Sequence, residues 1–371
     1  MRKAVSLILA LCLLLGFGSC VSEESPLSTP PLAIERHSTS GFYLLIPLEE
    51  MYGTGFALGD SVDIELSNGV TLEDMPFFDG YYVRTDSLLL CAYPGKTYPR
   101  AMIYNGKDLY SLAGITEGST GIITLRERGK YRDVQESLSM VYTNDRADYA
   151  DDVHFGNFRE MRGGQLAEGL FYRAATPCNP ENNRAATVSA LCEQAGIRCF
   201  LDLADEAEEL PEFSQNEDIP YWREVYAAGG VLPLGLGYDY RSEEYAKALC
   251  DGLMSMMEKE GAYLIHCKEG KDRTGFVCLL LEKLAGASTE EIIADYMVTY
   301  DNYYGIDREH EPARYDAVAE ITVLDMIAYL ESLADAGAQD VLEDGVNQYL
   351  AAGGLTNEDI TRLKAFLTGR E

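Results

Sequence analysis

An apolar run, Ala262-Tyr263-Leu264-Ile265, stops at His266, and a helix-like run begins at Phe276 and continues to Leu284. Between them lie Cys267-Lys268-Glu269-Gly270-Lys271-Asp272-Arg273-Thr274-Gly275, with a cysteine and an arginine in a Cys-x5-Arg spacing. The chain must therefore place an anion-sized loop between a strand and a helix N-terminus, the connection of an α/β layer structure. In such a loop the backbone N–H groups and the positive end of the helix dipole converge on one point, so a phosphate can be cradled and a thiolate held. A free cysteine has a pKa of roughly 8.5, and a helix N-terminus with nearby cations brings reactive ones to about 7 or below. Cys267 thus reads as a nucleophile. The planar fork of Arg273 suits two oxygens of a transferring phosphoryl group. Thr274 can donate its hydroxyl to the sulfur, and Lys271 adds a second cation. The substrate-binding positions are Lys268, Glu269, Gly270, Lys271 and Thr274. The bland alternative is a buried cysteine followed by a helix cap.

The loop resembles the signature of the cysteine-dependent phosphatases. Its Gly-Lys-Asp-Arg-Thr-Gly version is similar to the bacterial branch of tyrosine phosphatases, which includes enzymes dual for proteins and phosphoinositides. The resemblance extends over roughly residues 155 to 305. Asn157-Phe158-Arg159 and Leu170-Phe171-Tyr172-Arg173-Ala174 resemble segments of the same branch, with Ala174 where a serine is usual, and so do Asp295-Tyr296 and Tyr300-Asp301-Asn302-Tyr303-Tyr304. It implies a phosphocysteine intermediate with no cofactor and no metal, and the cysteine-phosphatase fold, a central mainly parallel sheet flanked by helices. Arg159 and Arg173 are expected to orient loops through carboxylates.

The pattern around the loop agrees with that fold. Asn183 to Gln194 reads as a helix, Gly196 to Leu203 as a buried strand, Trp222 to Tyr226 as the next strand, and Glu243 to Lys259 as a helix. Helices continue through Thr289, Arg314–Leu333, Val341–Ala351 and Thr356–Leu367. Strand and helix alternate, so the sheet should be largely parallel with its site at the strand C-termini.

Such a phosphatase needs a general acid for the leaving oxygen. Asp239 lies in a glycine-containing loop, Gly235-Leu236-Gly237-Tyr238-Asp239-Tyr240, in the chain order in which related dual-specificity phosphatases carry their acid. Asp272, inside the phosphate loop, is the alternative, and Asp202 the third choice. Asp239 is favoured slightly.

The first half reads differently. From about Gly41 to Tyr131 turn signals are dense (Asn68-Gly69, Asp79-Gly80, Pro94-Gly95, Asn105-Gly106), and Val62-Asp63-Ile64-Glu65-Leu66 alternates strictly. A small antiparallel barrel or sandwich is expected, with hairpins at Asn68-Gly69 and Asn105-Gly106. The expected organisation is a leader over residues 1–20, a flexible tether over 21–40, the small all-β domain over 41–143, and the phosphatase domain over 144–371, entered through an acidic hinge at 144–152.

Arg2-Lys3, the apolar stretch Ala4–Phe17 and Gly18-Ser19-Cys20 have the layout of a lipoprotein signal peptide. The expected outcome is an exported, cell-surface lipoprotein anchored to the outer face of a bacterial membrane through Cys20, with free secretion as the alternative. The formal charge is −31. Such acidity excludes nucleic acid as a partner. The pocket must then be a local positive exception built from Lys268, Lys271 and Arg273. The remaining cysteines show no paired or metal-ligand spacing; Cys192, Cys199, Cys250 and Cys278 read as small core residues. The function expected is a phosphomonoester hydrolase, a protein-tyrosine phosphatase with dual action on phosphoinositides included. The alternatives are an inositol-phosphate or lipid phosphatase and a non-catalytic extracellular phosphate-ligand binding protein. The partner is accordingly a phosphorylated protein, lipid or inositol.

Overall fold

A computed structural model of the chain describes residues 26–38 and 40–370. The leader and Cys20 lie outside the described residues. Among the described residues no helix is long and apolar enough to cross a membrane.

The first half is a closed barrel of seven strands: β1 Leu32–Arg36, β2 Phe42–Leu44, β3 Ser61–Leu66, β4 Thr71–Phe78, β5 Leu88–Cys91, β6 Arg100–Ile103 and β7 Thr120–Glu127, in the order β1-β2-β6-β5-β4-β3-β7. Neighbours run antiparallel except β4 and β5, which are parallel. The alternation in β3 has the expected consequence: Val62, Ile64 and Leu66 are buried with Phe42, Met75, Phe77 and Ile123, while Glu65 faces water. Three short helices accompany it, α1 Leu48–Gly53, α2 Leu109–Leu112 and α3 Arg132–Leu138.

Two expectations fail here. Asn68-Gly69 makes the β3–β4 hairpin, with Gly69 at φ 86°, but Asn105-Gly106 turns the chain into α2. Asp108 caps that helix by accepting from the Tyr110 N–H, and the strand that follows pairs with β1 and β3 instead of β6. The barrel also starts earlier than the tether assignment allows. β1 pairs with β2 and β7, and upstream of it the Thr29 N–H donates to the Ile123 carbonyl at 2.9 Å.

The second half begins with α4 Asp152–Gly156, β8 Arg159–Glu160, β9 Phe171–Ala174, α5 Ala185–Ala195, β10 Cys199–Asp202, α6 Leu210–Phe213, α7 Pro220–Ala227 and β11 Val231–Pro233. It continues through α8 Glu243–Met257, β12 Tyr263–His266, α9 Asp272–Leu284, α10 Thr289–Tyr304, α11 Pro312–Ile321, α12 Val323–Glu331, α13 Val341–Ala352 and α14 Asn357–Leu367. The sheet order is β11-β10-β12-β9-β8, parallel apart from the edge strand β8. β12 is therefore central. α9 is buried from Arg273 to Leu284, with an all-apolar run from Phe276 to Leu281, as expected of a helix inside a core.

Trp222–Tyr226 is not a strand. Pro220 opens the first turn of α7, where its missing N–H costs nothing, and Trp222 and Val225 bury one face while Arg223 and Glu224 face water. The strand follows at Val231. The helical stretch Arg314–Leu333 is broken at Thr322, which leaves helical geometry at φ −120°, ψ −97°.

The barrel docks on the second half through the loop before β5. Arg84 pairs with Glu320, the Thr85 N–H donates to Asp325 at 3.2 Å, and Asp86 accepts from Arg241 at 2.8 Å. From the other side Arg314 donates to the carbonyls of Ser137 and Ser139, at 2.6 and 2.9 Å.

Candidate active site

β12 delivers the chain to Cys267 at the C-terminal edge of the sheet, and the loop closes into α9 at Asp272. Gly270 makes the loop possible. It sits at φ 67°, and a Cβ there would lie 2.2 Å from the Ala174 carbonyl oxygen, so both conformation and space demand glycine. Cys267 and Arg273 are both buried, at 4% and 8% exposure.

Arg273 donates from Nη1 to the Leu236 carbonyl at 2.7 Å, and its guanidinium carbon lies 4.7 Å from the centre of the Tyr238 ring. Burial alone would lower its pKa, but the Cys267 sulfur and the Tyr238 and Tyr245 phenols outweigh that and raise it. Thr274 is fully buried, and its hydroxyl has no hydrogen-bond partner among the described residues.

Two side chains from distant segments, Asn157 and Arg173, hold the loop's backbone, and Arg159 and Asp295 hold those two in turn. Asn157 caps the C-terminus of α4 in the left-handed region, φ 48°. Its Nδ2 faces the carbonyls of Glu269 (3.3 Å) and Gly270 (3.2 Å) and the Thr299 hydroxyl (3.1 Å). Arg173 donates to the Gly270 carbonyl at 3.1 Å and to Asp295 at 2.5 Å, and Arg159 donates to Asp295 at 3.0 Å and to Asn157 Oδ1 at 2.7 Å. Burial would raise the Asp295 carboxyl, but the two guanidinium groups win and hold it at about 2. Asn157 was visible in the sequence only through its resemblance; its grip on the loop was not.

The expected surplus of positive charge is largely consumed locally. Lys268 pairs with Glu181, and Lys271 lies 3.1 Å from Glu269 and 3.9 Å from Asp272. Glu269 in turn accepts from the Tyr142 hydroxyl at 2.5 Å, and Tyr142 stacks on Tyr303. Glu269 is thus a structural ligand of the loop as well as a member of it.

The three aspartates separate. Asp239 lies in the loop between β11 and α8, exposed, accepting from the Arg241 N–H at 3.3 Å. It lines a cleft of about 200 Å³ with Asp86, Asn105, Gly106, Lys107 and Arg241, between loop and barrel. Its neighbour Tyr238 is the residue set over Arg273, a placement the sequence did not signal. Asp272 opens α9 beside Lys271; burial raises its carboxyl, with Glu269 adding to the rise and Lys271 and Arg273 opposing it. Asp202 is fully buried at the end of β10, next to Asp205 and Cys178, a grouping that sequence spacing did not reveal.

A model of the tyrosine phosphatase family matches residues 154–369. No curated protein matches the chain. Two solved structures are similar to part of it. One is the core catalytic domain of the PP-IP phosphatase SIW14 from S. cerevisiae in complex with citrate, 17% identical, covering 44% of this chain and 94% of that chain at a TM-score of 0.26. The other is P. aeruginosa TpbA, 19% identical, covering 50% of this chain and 88% of that chain, also at 0.26.

Proposed function

The chain belongs to the tyrosine phosphatase family, and from that premise we propose that it hydrolyses phosphomonoesters through a phosphocysteine on Cys267, with phosphotyrosyl protein as its substrate class. The observation that carries the reading is the placement of Cys267 and Arg273 at the two ends of one buried loop at the head of α9. The Cys267 thiolate attacks phosphorus, and a sulfur–phosphorus bond forms as the bond to the leaving oxygen breaks. Arg273 and the loop amides hold the equatorial oxygens, where charge spreads in the transition state. Asp272, a carboxyl that burial keeps protonated to higher pH, gives its proton to the leaving oxygen. Water then attacks phosphorus, returns a proton to Asp272, and releases phosphate and the thiolate. Asp239 faces the barrel cleft in this conformation, which is why Asp272 takes the role.

The choice of an aryl monoester rests on charge. Lys268 and Lys271 are matched by Glu181 and Glu269, so neither is spare for a second phosphate of a polyphosphorylated inositol, whereas the exposed Tyr238 ring offers an aryl group a face. On sequence grounds alone we place the protein outside the cytoplasm, lipidated at Cys20.

A pre-steady-state burst with an aryl phosphate, together with acid-stable trapping of phosphate on Cys267, tests the chemistry. A panel of phosphotyrosyl peptides, phosphoinositides and inositol phosphates tests the substrate. Chelator-sensitive turnover that survives Cys267→Ser would overturn the mechanism, and a preference for inositol phosphates would overturn the substrate class.

A further inference from the structure

Behind the nucleophile loop, at the C-terminal ends of β10 and β12, lies a polar cluster that the proposed phosphatase chemistry does not use. Cys178, Asp202 and Asp205, each 1% exposed or less, bring one sulfur and two carboxylates together with all three donor atoms within 4.8 Å of one another. Cys178 Sγ and Asp205 Oδ2 are 3.9 Å apart. His266, fully buried and paired in register with Asp202 across the sheet, sets its Nδ1 3.8 Å from Asp202 Oδ1. Neither ring nitrogen of His266 has a hydrogen-bond partner among the described residues, and neither does Asp202 Oδ2.

We infer that Cys178, Asp202 and Asp205, with the unpartnered His266 ring beside them, form a binding site for a divalent cation of borderline softness, with Zn²⁺ the best fit. The donor set is the argument for the ion. Thiolate, carboxylate and imidazole are the ligands that zinc takes, at about 2.0–2.3 Å, which puts neighbouring donors of a tetrahedral site roughly 3.3–3.8 Å apart. The Cys178 Sγ–Asp205 Oδ2 separation of 3.9 Å needs only a small side-chain adjustment to reach that. A hard ion such as Mg²⁺ would not choose the sulfur.

The surroundings are those of a built site. Each carboxylate has one oxygen committed to the scaffold: Asp202 Oδ1 accepts from the Ala204 and Asp205 N–H groups at 3.0 and 3.2 Å, and Asp205 Oδ1 accepts from Asn179 Nδ2 at 2.8 Å. That leaves Asp202 Oδ2 buried without a partner and Asp205 Oδ2 beside the sulfur, and Thr176 Oγ1 lies 3.5 Å from the sulfur. Partners that fix first ligands in this way are the usual second layer of a metal centre. The site borders the active centre: His266 directly precedes Cys267, and the Thr176 N–H donates to the Lys268 carbonyl at 3.2 Å. An ion there would brace the loop from below and take no part in the chemistry, so the inference stands independently of the reaction proposed above.

The test uses the full chain carrying Cys267→Ser, which removes the nucleophile as a competing ligand and leaves the cluster intact. After stripping with a chelator, Co²⁺ is titrated while sulfur-to-cobalt charge-transfer absorption is followed, and bound zinc is counted after dialysis. The expected result is one equivalent of either ion, zinc displacing cobalt, and a higher Tm when the ion is bound. Adding Cys178→Ser should abolish the charge-transfer band and weaken binding by at least about 100-fold, and Asp205→Asn should weaken it while leaving the band. No stoichiometric binding to the Cys267→Ser protein would overturn the inference, whatever the other variants do. Binding indifferent to Cys178→Ser would also overturn it, because the ion would then sit elsewhere.

Discussion

Arg273 donates its Nη1 hydrogen to the carbonyl of Leu236, 2.7 Å away, so the arginine of the nucleophile loop is tied to the loop that carries Tyr238 and Asp239. That second loop is held at its far end by Arg241, which reaches Asp86 of the barrel at 2.8 Å and Asp325 of α12 at 3.3 Å. The barrel is therefore mechanically connected to Arg273 through the six residues Leu236 to Arg241. Arg273 Nε has no partner among the described residues, so a phosphoryl group can take the Nε side of the fork while Nη1 stays on Leu236, and the second loop fixes the guanidinium that holds the substrate.

Arg273→Ala should lower kcat/KM by at least 10²–10³-fold, about 2.7–4 kcal/mol, the cost of removing a single transition-state donor. Arg273→Lys should recover little of it, because a point charge cannot replace a planar fork. Cys267→Ser should abolish turnover yet still bind phosphate or vanadate. Equilibrium binding beside steady-state kinetics separates these outcomes; a serine variant that still turns over would contradict the nucleophile.

The acid is tested by leaving groups. If Asp272 protonates the leaving oxygen, Asp272→Asn should slow aryl phosphates with poor leaving groups far more than those with good ones. The proton must be present for the step, so activity falls as pH rises through the Asp272 pKa. Because that pKa is raised, the wild-type fall should come at higher pH than for an ordinary carboxyl, and it should vanish in the Asn variant. Leaving-group dependence that appears only in Asp239→Asn would transfer the role to Asp239.

Asn157→Ala should both loosen the loop and strain the chain. Its side chain makes three contacts with carbonyls and a hydroxyl around Gly270, and its φ of 48° costs an ordinary residue roughly 1–2 kcal/mol. The expected loss is on the order of 2–4 kcal/mol of stability, combining that strain with buried polar groups left unpaired. Asn157→Gly removes the strain and keeps the unpaired groups, so chemical denaturation of the two variants divides the effect. Equal losses would show that the backbone conformation carries no cost here.

What the sequence disclosed follows the range of the interaction. Cys267 and Arg273 are six positions apart, and the strand and helix that flank them are visible as local periodicity, so the centre of the site could be read directly. Asn157, Arg173 and Asp295 converge on Gly270 from three separate segments, and only resemblance to a family pointed to them. Cys178, Asp202 and Asp205 meet because β9 and β10, parallel strands on either side of β12, end at the same edge, which no spacing rule encodes. The errors are also physical. Five residues, Trp222–Tyr226, are too few to distinguish a strand from a helix with one buried face, and Asn105-Gly106 is a true turn whose partner strands were chosen by the closed barrel.

The buried cluster should leave a signature in stability measured on chelated protein. Asp202 and Asp205 are raised from 3.8 to about 6 by burial. Raised pKa values mean that the folded state holds protons more tightly than the unfolded state; their contribution is full below about pH 4 and is lost as pH rises through about 6. His266 acts in the opposite sense, its pKa lowered to about 4 by burial, so its contribution is present above about 6.5 and is lost as pH falls. Asp202→Asn keeps the Oδ1 acceptor and isolates one group. It should gain stability over wild type by roughly 2–3 kcal/mol between pH 4 and 7, the value of a two-unit shift. Parallel stability curves for the two proteins would refute the assignment.

The last prediction concerns the N-terminus. If Cys20 carries a diacylglyceryl group, its two chains give stable anchoring where one would not, and wild-type protein should partition with membranes. The reach of that anchor is short. Leu27 already packs against the barrel core, and the Leu125 N–H donates to its carbonyl at 2.8 Å, so the seven steps from Cys20 span no more than about 25 Å. Without Arg2 and Lys3 the formal charge of −31 becomes −33, and that charge is then held close to lipid headgroups, within a few Debye lengths at physiological salt. On anionic vesicles, raising salt should strengthen the association of the lipidated protein by screening that repulsion, the reverse of a protein bound through basic patches. Cys20→Ala should be fully soluble at every salt concentration with unchanged kcat/KM. Mass spectrometry that finds an unmodified N-terminus on wild-type protein, or a soluble wild type, would rule out the anchor, and membrane binding that weakens with salt would show that charge and not lipid holds the protein there.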